Sequence, residues 1–398
     1  MLTAEQNERL TRVGAGTPMG ELLRRYWQPI APTAELLERP AKAIRLMGED
    51  LTLFRDKQGR LGLIGERCAH RLVRLEFGYP VDEGLRCPYH GWTYNASGQC
   101  VAQPAEPPES TFKDKVKLKA YPVQELAGLV FAYLGPEPAP LLPCWEPLVA
   151  QGLHRELYYM NVPCNWLQGM ENSPDWSHVE WLHGHFTQYV LESRGVSKDD
   201  ARYKATAGLA RRVLELAHDR YEHGILRRVL NEGSTKEDDR WRVGQPVIMP
   251  NINVISAVSS SDVTVIWRTA VDDTHMIQWD LRCFLSDSEA SPNPNGHVPY
   301  AEMMPRNEHG AWNLEQVRIQ DYMVYMAQGE IVDRTQERLG GADQGVILYR
   351  QMLEEQLELI EAGQDPMNVF RDPAANRSIH VPVINPAYRR RDFSVASA

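Results

Sequence analysis

The 398-residue chain is 43% hydrophobic and 24% charged, an ordinary globular composition, and is long enough for about two domains with separate cores. Its formal net charge of −10 argues against nucleic acid, whose phosphates most of the surface would repel. No run approaches the ~20 apolar residues of a membrane span, the opening MLTAEQNERLTRVG has no apolar export core, and six cysteines are no disulfide scaffold at this length, so a cytoplasmic globular protein is expected.

Thr17-Pro18 reads as an N-cap and first-turn proline opening a helix over MGELLRRYW. Glycines 14, 16 and 20 follow no strand and lack G-x-G-x-x-G spacing, so a nucleotide loop is set aside. Residues 1–42 are expected to be an N-terminal helical segment packed on the second domain. Residues 43–138 are expected to be a small all-β domain, because AIRLM, LTLFRD, LGLIG, KVKLKAYPVQ and LVFAYLG are short runs broken by Gly, Asp-Lys or Pro. The Pro-rich GPEPAPLLPCWEP is a stiff linker at its edge. In the remaining 139–398, a mixed segment near 162–190 precedes strand-like runs (RRVLELAHDRYEHGILRRVL, WRVGQPVIMPNINVISAV, TVIWRTAVDD, HMIQWDLRCF) and a mostly helical tail from about 312 to 363. Strands in one block with flanking helices make this domain α+β.

The densest signal is Cys68-Ala-His70, then sixteen residues, then Cys87-Pro-Tyr-His90. Two thiolates and two imidazoles on two β-loops suit an asymmetric [2Fe–2S] cluster, one iron held by sulfur and the other by nitrogen. Pro88 and Gly91 suit tight loops. The competing reading is a structural zinc, for which a C-x-H pair is tight. Cysteines 100, 144, 164 and 283 have no partner pattern and read as small buried hydrophobes.

A cluster alone moves single electrons and leaves open whether the chain is a carrier or an enzyme. The segment Glu171-Asn-Ser-Pro-Asp175-Trp-Ser-His178-Val-Glu-Trp-Leu-His183 bears on that choice. Two histidines and one carboxylate form the facial triad that holds Fe(II) with positions open for O2. His178 and His183 stand five apart, off one face of a regular helix, so joint ligation requires a bent or bulged one. His185, two residues on, reads as a supporting or surface side chain. The carboxylate must come from far along the chain. Asp321 stands among apolar neighbours at a helix start, whereas Asp333 has Arg334, Glu337 and Arg338 within helical reach for ion pairing. Asp175, one turn before His178, is placed to fix that ring by hydrogen bonding, or to sit as a helix N-terminal carboxylate. Asn172 is a further neighbour.

Residue by residue, the first pair of motifs resembles the Rieske signature C-x-H…C-x-x-H. The spacing of Asp175, His178 and His183 resembles the D-x-x-H-x-x-x-x-H motif of ring-hydroxylating oxygenase large subunits. The QD…G-x-I-x-D-R-T-x-E-x-L-G run from Gln320 resembles the C-terminal signature of phthalate-dioxygenase-like oxygenases. The likeness spans essentially the whole chain and is nearest to the phthalate dioxygenase and lignin-biaryl O-demethylase branch. It implies an all-β Rieske domain plus a helix-grip (START-like) α+β catalytic domain. It implies a cluster on Cys68, His70, Cys87 and His90, and a mononuclear Fe(II) on His178, His183 and Asp321, the first Asp of the run. It implies that Asp175 bridges His178 to the neighbouring subunit's His90. It further implies a homotrimer or stacked trimers, fed by a separate NADH-dependent flavin or ferredoxin reductase.

The reaction implied is oxidation of an aromatic acid with O2, by O-demethylation (monooxygenation) or cis-dihydroxylation. An anionic substrate needs a cation in an apolar pocket, and Arg212, Arg242 and Arg268 lie on candidate strands, while His275 reads as structural. One alternative is a non-aromatic substrate on the same iron. Another, from a different class, is a Rieske electron-transfer subunit, which the chain length and the second histidine pair oppose.

Overall fold

A computed structural model describes residues 2–257, 262–285, 293 and 297–391. The two ends of the expected domain divisions, and Val258 at the end of one strand-like run, lie outside the described residues.

The stretch expected to be all-β holds two four-stranded antiparallel sheets, with its LVFAYLG run in a third. One holds Ala41–Leu46, Glu49–Arg55, Leu61–Gly65 and Ala120–Tyr121; the other holds Tyr79–Val81, Gly84–Arg86, Thr93–Tyr94 and Cys100–Ala102. The first hairpin turns at Met47-Gly48, whose φ values of 47° and 78° suit the type I′ turn that matches strand twist. Phe54, Ile64, Leu75, Leu85, Trp92 and Tyr94 are buried together with Cys68 and Cys87. At ~1.5–3 kcal/mol for each large side chain, this core anchors both cysteine-bearing loops.

The N-terminal segment is only partly helical. Ala4–Thr11 and Pro18–Arg24 are helices, the second capped by Thr17 with Pro18 in its first turn. Gln28–Pro32 is instead a strand, antiparallel to Leu129–Ala132, which also pairs with Val123–Leu126. Pro29 and Pro32 cannot donate to a helical ladder and push their predecessors toward extended backbone. Leu10, Met19, Leu22 and Leu23 of the two helices share one core with Trp166, Met170, Tyr349 and Leu353.

The larger part is built on an eight-stranded sheet in the order Val213–Tyr221, Gly224–Asn231, Gln245–Ile248, Ile252–Ser256, Asp262–Ala270, Met276–Leu285, Leu153–Val162, Tyr300–Glu302. Neighbours are antiparallel except the last pair. Period-two alternation divides the two central strands. Val263, Val265 and Trp267, with Trp279, Leu281 and Cys283, face one apolar core. The opposite face of the same strands carries Thr264, Arg268, Gln278 and Asp280, all buried. Buried polar side chains on a covered sheet face are the informative exception to an apolar interior.

Val317–Ala327 and Gln344–Glu361 are helices, but the DRTQERLG stretch between them is not, because Gly329, at φ 90°, ends the first. Asp333 therefore closes a turn, accepting from Thr335 N and Oγ1 and from Gln336 Nε2. Among the described residues it makes none of the ion pairs its neighbours suggested. The neighbouring charges pair elsewhere: Arg334 and Arg350 grip the Glu171 carboxylate at 2.7 and 2.6 Å, and Arg350 holds Glu337 at 2.8 Å. Burial would raise the Glu171 carboxyl, but the two guanidiniums hold it below its usual range. This clamp fixes the Trp166–Asn172 helix from behind. No helix among the described residues is long and apolar enough to cross a membrane.

Candidate metal centres

Two loops of the smaller sheets carry the first set. Cys68 N donates to Val73 O and Cys87 N to Trp92 O, closing each loop. Gly91, at φ 75°, makes the turn after His90. Both cysteines are buried, whereas His70 is exposed and His90 half-buried. The two imidazoles sit edge to face with centroids 4.4 Å apart, and Trp92 stacks on His70 at 4.7 Å. Tyr94 Oη accepts from Ala69 N and lies 3.3 Å from Cys68 Sγ, so its own proton is free to turn to the sulfur.

Burial, with Cys68 alongside, pushes the Cys87 thiol up, and a bound cation would favour its thiolate. Two buried thiols and two neighbouring imidazoles on facing loops form a donor set that fits two metal ions, one per pair.

The second set starts where the Trp166–Asn172 helix ends. Helix resumes at Ser177 and passes into a π-helix over Val179–Phe186. Its i→i+5 pattern is the bulge that the His178/His183 spacing demands. Gly184 lets this turn lie against the chain, since a Cβ there would stand 2.5 Å from Ala210 Cα. One ring nitrogen of each histidine and one oxygen of Asp321 lie within 4.8 Å of one another. His183 Nε2 is 3.2 Å and His178 Nε2 is 3.8 Å from Asp321 Oδ1.

Neighbouring side chains decide where the protons sit. His183 Nδ1 is 2.8 Å from Gln320 Oε1, and Gln320 Nε2 donates to Thr187 Oγ1 and to Leu314 O, both at 2.7 Å. With both amide hydrogens so used, Gln320 can only accept from His183, so Nδ1 carries the proton and Nε2 turns a lone pair to Asp321. Two acceptors 3.2 Å apart repel unless a proton or cation lies between them, and a metal ion fits that place. His178 Nδ1 is 3.3 Å from Asp175 Oδ2, close but not aligned for a hydrogen bond, while Asp175 Oδ1 accepts from Ser177 N and Oγ. Asn172 Nδ2 stands 3.2 Å from His178 Nε2 and 3.4 Å from Asp321 Oδ1. Burial alone would raise both carboxyls. His178 and Ser177 instead hold Asp175 down at about 2, and His183, His178 and Arg318 hold Asp321 below its usual range.

The remaining candidates scatter. His185 is largely exposed, 3.8 Å from Glu180, and His275 is exposed beside Asp272. Arg242 ends a short helix, Asp239–Arg242, paired with Asp239, rather than lying on a strand; Gly244, at φ 76°, separates it from the next strand. Arg212 is exposed just before Val213–Tyr221. Arg268 is on a strand and buried, but its terminal nitrogens are taken by Ser173 Oγ at 2.8 Å and Tyr325 Oη at 3.2 Å. Among the described residues no hydrogen bond or ion pair joins His90 to Asp175 within one chain. Sequence reading missed Tyr94, Gln320 and Arg318. Helical spacing was the available signal for Arg318, three residues before Asp321.

Residues 26–122 match the model of a Rieske [2Fe–2S] domain. The chain is 38% identical to the 5,5'-dehydrodivanillate O-demethylase oxygenase subunit of Sphingobium sp. (strain NBRC 103272 / SYK-6), over 97% of this chain and 87% of that protein. It is 33% identical to the tert-butanol monooxygenase / tert-amyl alcohol desaturase oxygenase subunit of Aquincola tertiaricarbonis, over 94% of this chain and 80% of that one. Among solved structures, Pseudomonas putida CBB5 NdmA (a QL mutant with caffeine) superposes with a TM-score of 0.62 over 87% of this chain and 94% of that one. At 21% identity the last is a likeness of fold.

Proposed function

The chain belongs to the Rieske non-haem-iron oxygenases, with a [2Fe–2S] cluster and a mononuclear iron, and on that premise we propose that it oxidises an aromatic acid with O2, by O-demethylation or cis-dihydroxylation. In this reading Cys68, His70, Cys87 and His90 hold the cluster, and His178, His183 and Asp321 hold the iron. Iron and cluster together supply O2 activation and single electrons. The chain's own groups fix the geometry: Gln320 keeps the proton on His183 Nδ1, Asp175 faces His178 Nδ1, and both Nε2 atoms stay ligands. The observation that carries the reading is the acceptor-to-acceptor approach of His183 Nε2 and Asp321 Oδ1 in a buried site.

Electrons arrive from a separate protein, in this reading an NADH-dependent flavin or ferredoxin reductase. The subunits form a head-to-tail homotrimer or stacked trimers in the cytoplasm, so that Asp175 meets the neighbouring subunit's His90. Residues 43–138 are the cluster-bearing unit; 139–398, with 1–42 packed on it, are the catalytic unit.

The relative named for dehydrodivanillate supports an aromatic acid. The one named for tert-butanol favours a second reading, a small branched alcohol. A cavity of about 530 Å³ is lined by Arg318, whose Nη1 lies 4.0 Å from Asp321 Oδ2, and is sized for a ring-bearing molecule. The test is a pool of plain and methoxylated benzoates plus tert-butanol, incubated with O2 and a surrogate reductase and read by product mass. Loss of CH2 marks demethylation and gain of two hydroxyls marks dihydroxylation. Oxidation of tert-butanol alone establishes the second reading, and no product with a fully loaded protein overturns both. An electron carrier would hold about two irons per two sulfides rather than about three.

The His183 contact yields a separate expectation. Gln320→Leu keeps the volume but removes the acceptor, and should weaken Fe(II) binding roughly 10–100-fold while the cluster's visible absorption is unchanged. Titration of iron-free protein with Fe(II) measures it, and unaltered affinity would remove Gln320 from this role.

A further inference from the structure

The cavity of about 530 Å³ lies on the polar face of the large sheet, between the central strands and the start of the helix that carries Asp321. Tyr158, Thr264, Asp280 and Arg282 come from strands, and Arg318 comes from the helix. Arg318 is the only one of these that also approaches the metal-binding candidates, its Nη1 lying 4.0 Å from Asp321 Oδ2.

The guanidinium is oriented from behind. Its Nε donates to Asp280 Oδ2 at 2.6 Å, and Gln278 Nε2 donates to Asp280 Oδ1 at 2.8 Å, which holds the acceptor still. Among the described residues its two terminal nitrogens make no hydrogen bond. They are also not among the buried polar atoms that lack a partner, so they remain accessible. That access is through the solvent-connected cavity that Arg318 lines, where its side chain is 23% exposed. The neighbouring buried arginines offer no such fork. Arg268 is committed to Ser173 and Tyr325, and Arg227 to Ser173 O and Asn253 Oδ1. Arg282, which also lines the cavity but is 40% exposed, turns Nε and Nη2 to Asp262.

We propose that the Nη1–Nη2 edge of Arg318 binds an aryl oxyanion, a carboxylate or phenolate on the substrate ring, and thereby sets which part of the ring faces the iron site. The site rests on the aromatic-acid reading above and names what grips the acid. A planar fork with one edge anchored is pre-organised for two parallel hydrogen bonds to an oxyanion. Asp280 answers Nε alone, and Asp321 stands 4.0 Å from Nη1, so the outer edge makes no hydrogen bond among the described residues and can still take a ligand's.

The test is calorimetric binding to iron-loaded, cluster-replete protein under anaerobic conditions, so that no turnover intervenes. The probes are two matched pairs: 4-methoxybenzoate with its methyl ester, and 4-nitrophenolate with 4-nitroanisole at a pH where the phenol is ionised. The wild type is expected to prefer at least one anion over its neutral partner by about ten-fold or more. Arg318→Gln should bring that ratio to roughly one while the neutral probe's Kd stays within about three-fold, and Arg318→Lys should keep part of the preference. Preference confined to the benzoate pair assigns a carboxylate, and preference confined to the nitrophenolate pair assigns a phenolate. Cluster absorption and iron content report whether each variant is intact; if the glutamine variant fails to load iron, the lysine variant decides by showing a reduced or an undiminished ratio. Absence of any anion preference in the wild type, or a preference that survives substitution, overturns the proposal. Anion binding through Arg318 without O2 consumption on any substrate would sink the oxygenase reading and leave this site standing. Oxidation with a preference indifferent to Arg318 would do the reverse.

Discussion

Asp321→Ala is expected to abolish product formation and mononuclear iron binding while leaving the cluster's visible absorption intact. Asp321 is buried at 3% exposure, faces both histidines and is kept ionised by them and by Arg318. Removing it leaves two imidazoles, too few to fix an iron against water. Cys68 and Cys87, the proposed cluster sulfurs, belong to a core of their own in the smaller sheets. Iron analysis should therefore fall from about three to about two irons per two sulfides. Asp333→Ala is the matched control. That carboxylate is exposed and spends its oxygens on Thr335 and Gln336, so its loss should lower stability slightly with iron retained. Exchange of the two phenotypes would transfer the ligand role to Asp333.

Asp175→Asn should leave both metals bound and the cluster reducible, yet slow product formation by roughly 10–100-fold. Although burial works against it, His178 and Ser177 hold this carboxyl at about 2, so it is charged throughout the neutral range. The substitution thus removes a fixed negative charge beside His178 Nδ1, 3.3 Å away, with almost no change in size. If electrons cross from one subunit to the next at this point, stopped-flow reoxidation of the reduced cluster should slow in proportion to turnover. Co-expression of differently tagged Cys87→Ser and His183→Ala chains, purified through both tags, should restore partial activity, because some interfaces then pair an intact cluster with an intact iron site. Doubly tagged assemblies that stay inactive, when wild-type chains handled identically are active, would refute the inter-subunit route.

The candidate ligands that stand close in sequence were legible as local motifs, whereas the pairing of Asp321 with the two histidines is a long-range contact. A loop places Cys68 beside His70 and Cys87 beside His90 whatever surrounds it, and the five-residue step from His178 to His183 announces a bulge before any helix is seen. Strand alternation likewise marks the two faces of Asp262–Ala270 and Met276–Leu285. Local pattern misled where a short-range feature overrode it. Pro29 and Pro32 turn a supposed helical segment into a strand, and Gly329 unwinds the stretch that would have given Asp333 its helical ion pairs. Arg242 and Arg212 looked like strand cations, but one ends a single helical turn and the other stops short of its strand.

Only the tertiary structure decided what lies across long separations. Gln320 meets His183 across 137 residues, Arg318 meets Asp280 across 38, and Arg334 meets Glu171 across 163. Residue type and spacing determine which side chains share a turn or a face, since bond geometry propagates over only a few residues. Which lone pair a glutamine satisfies, or which edge of a guanidinium stays open, is determined by how helices and sheet pack, and that depends on burying apolar surface from the entire chain at once.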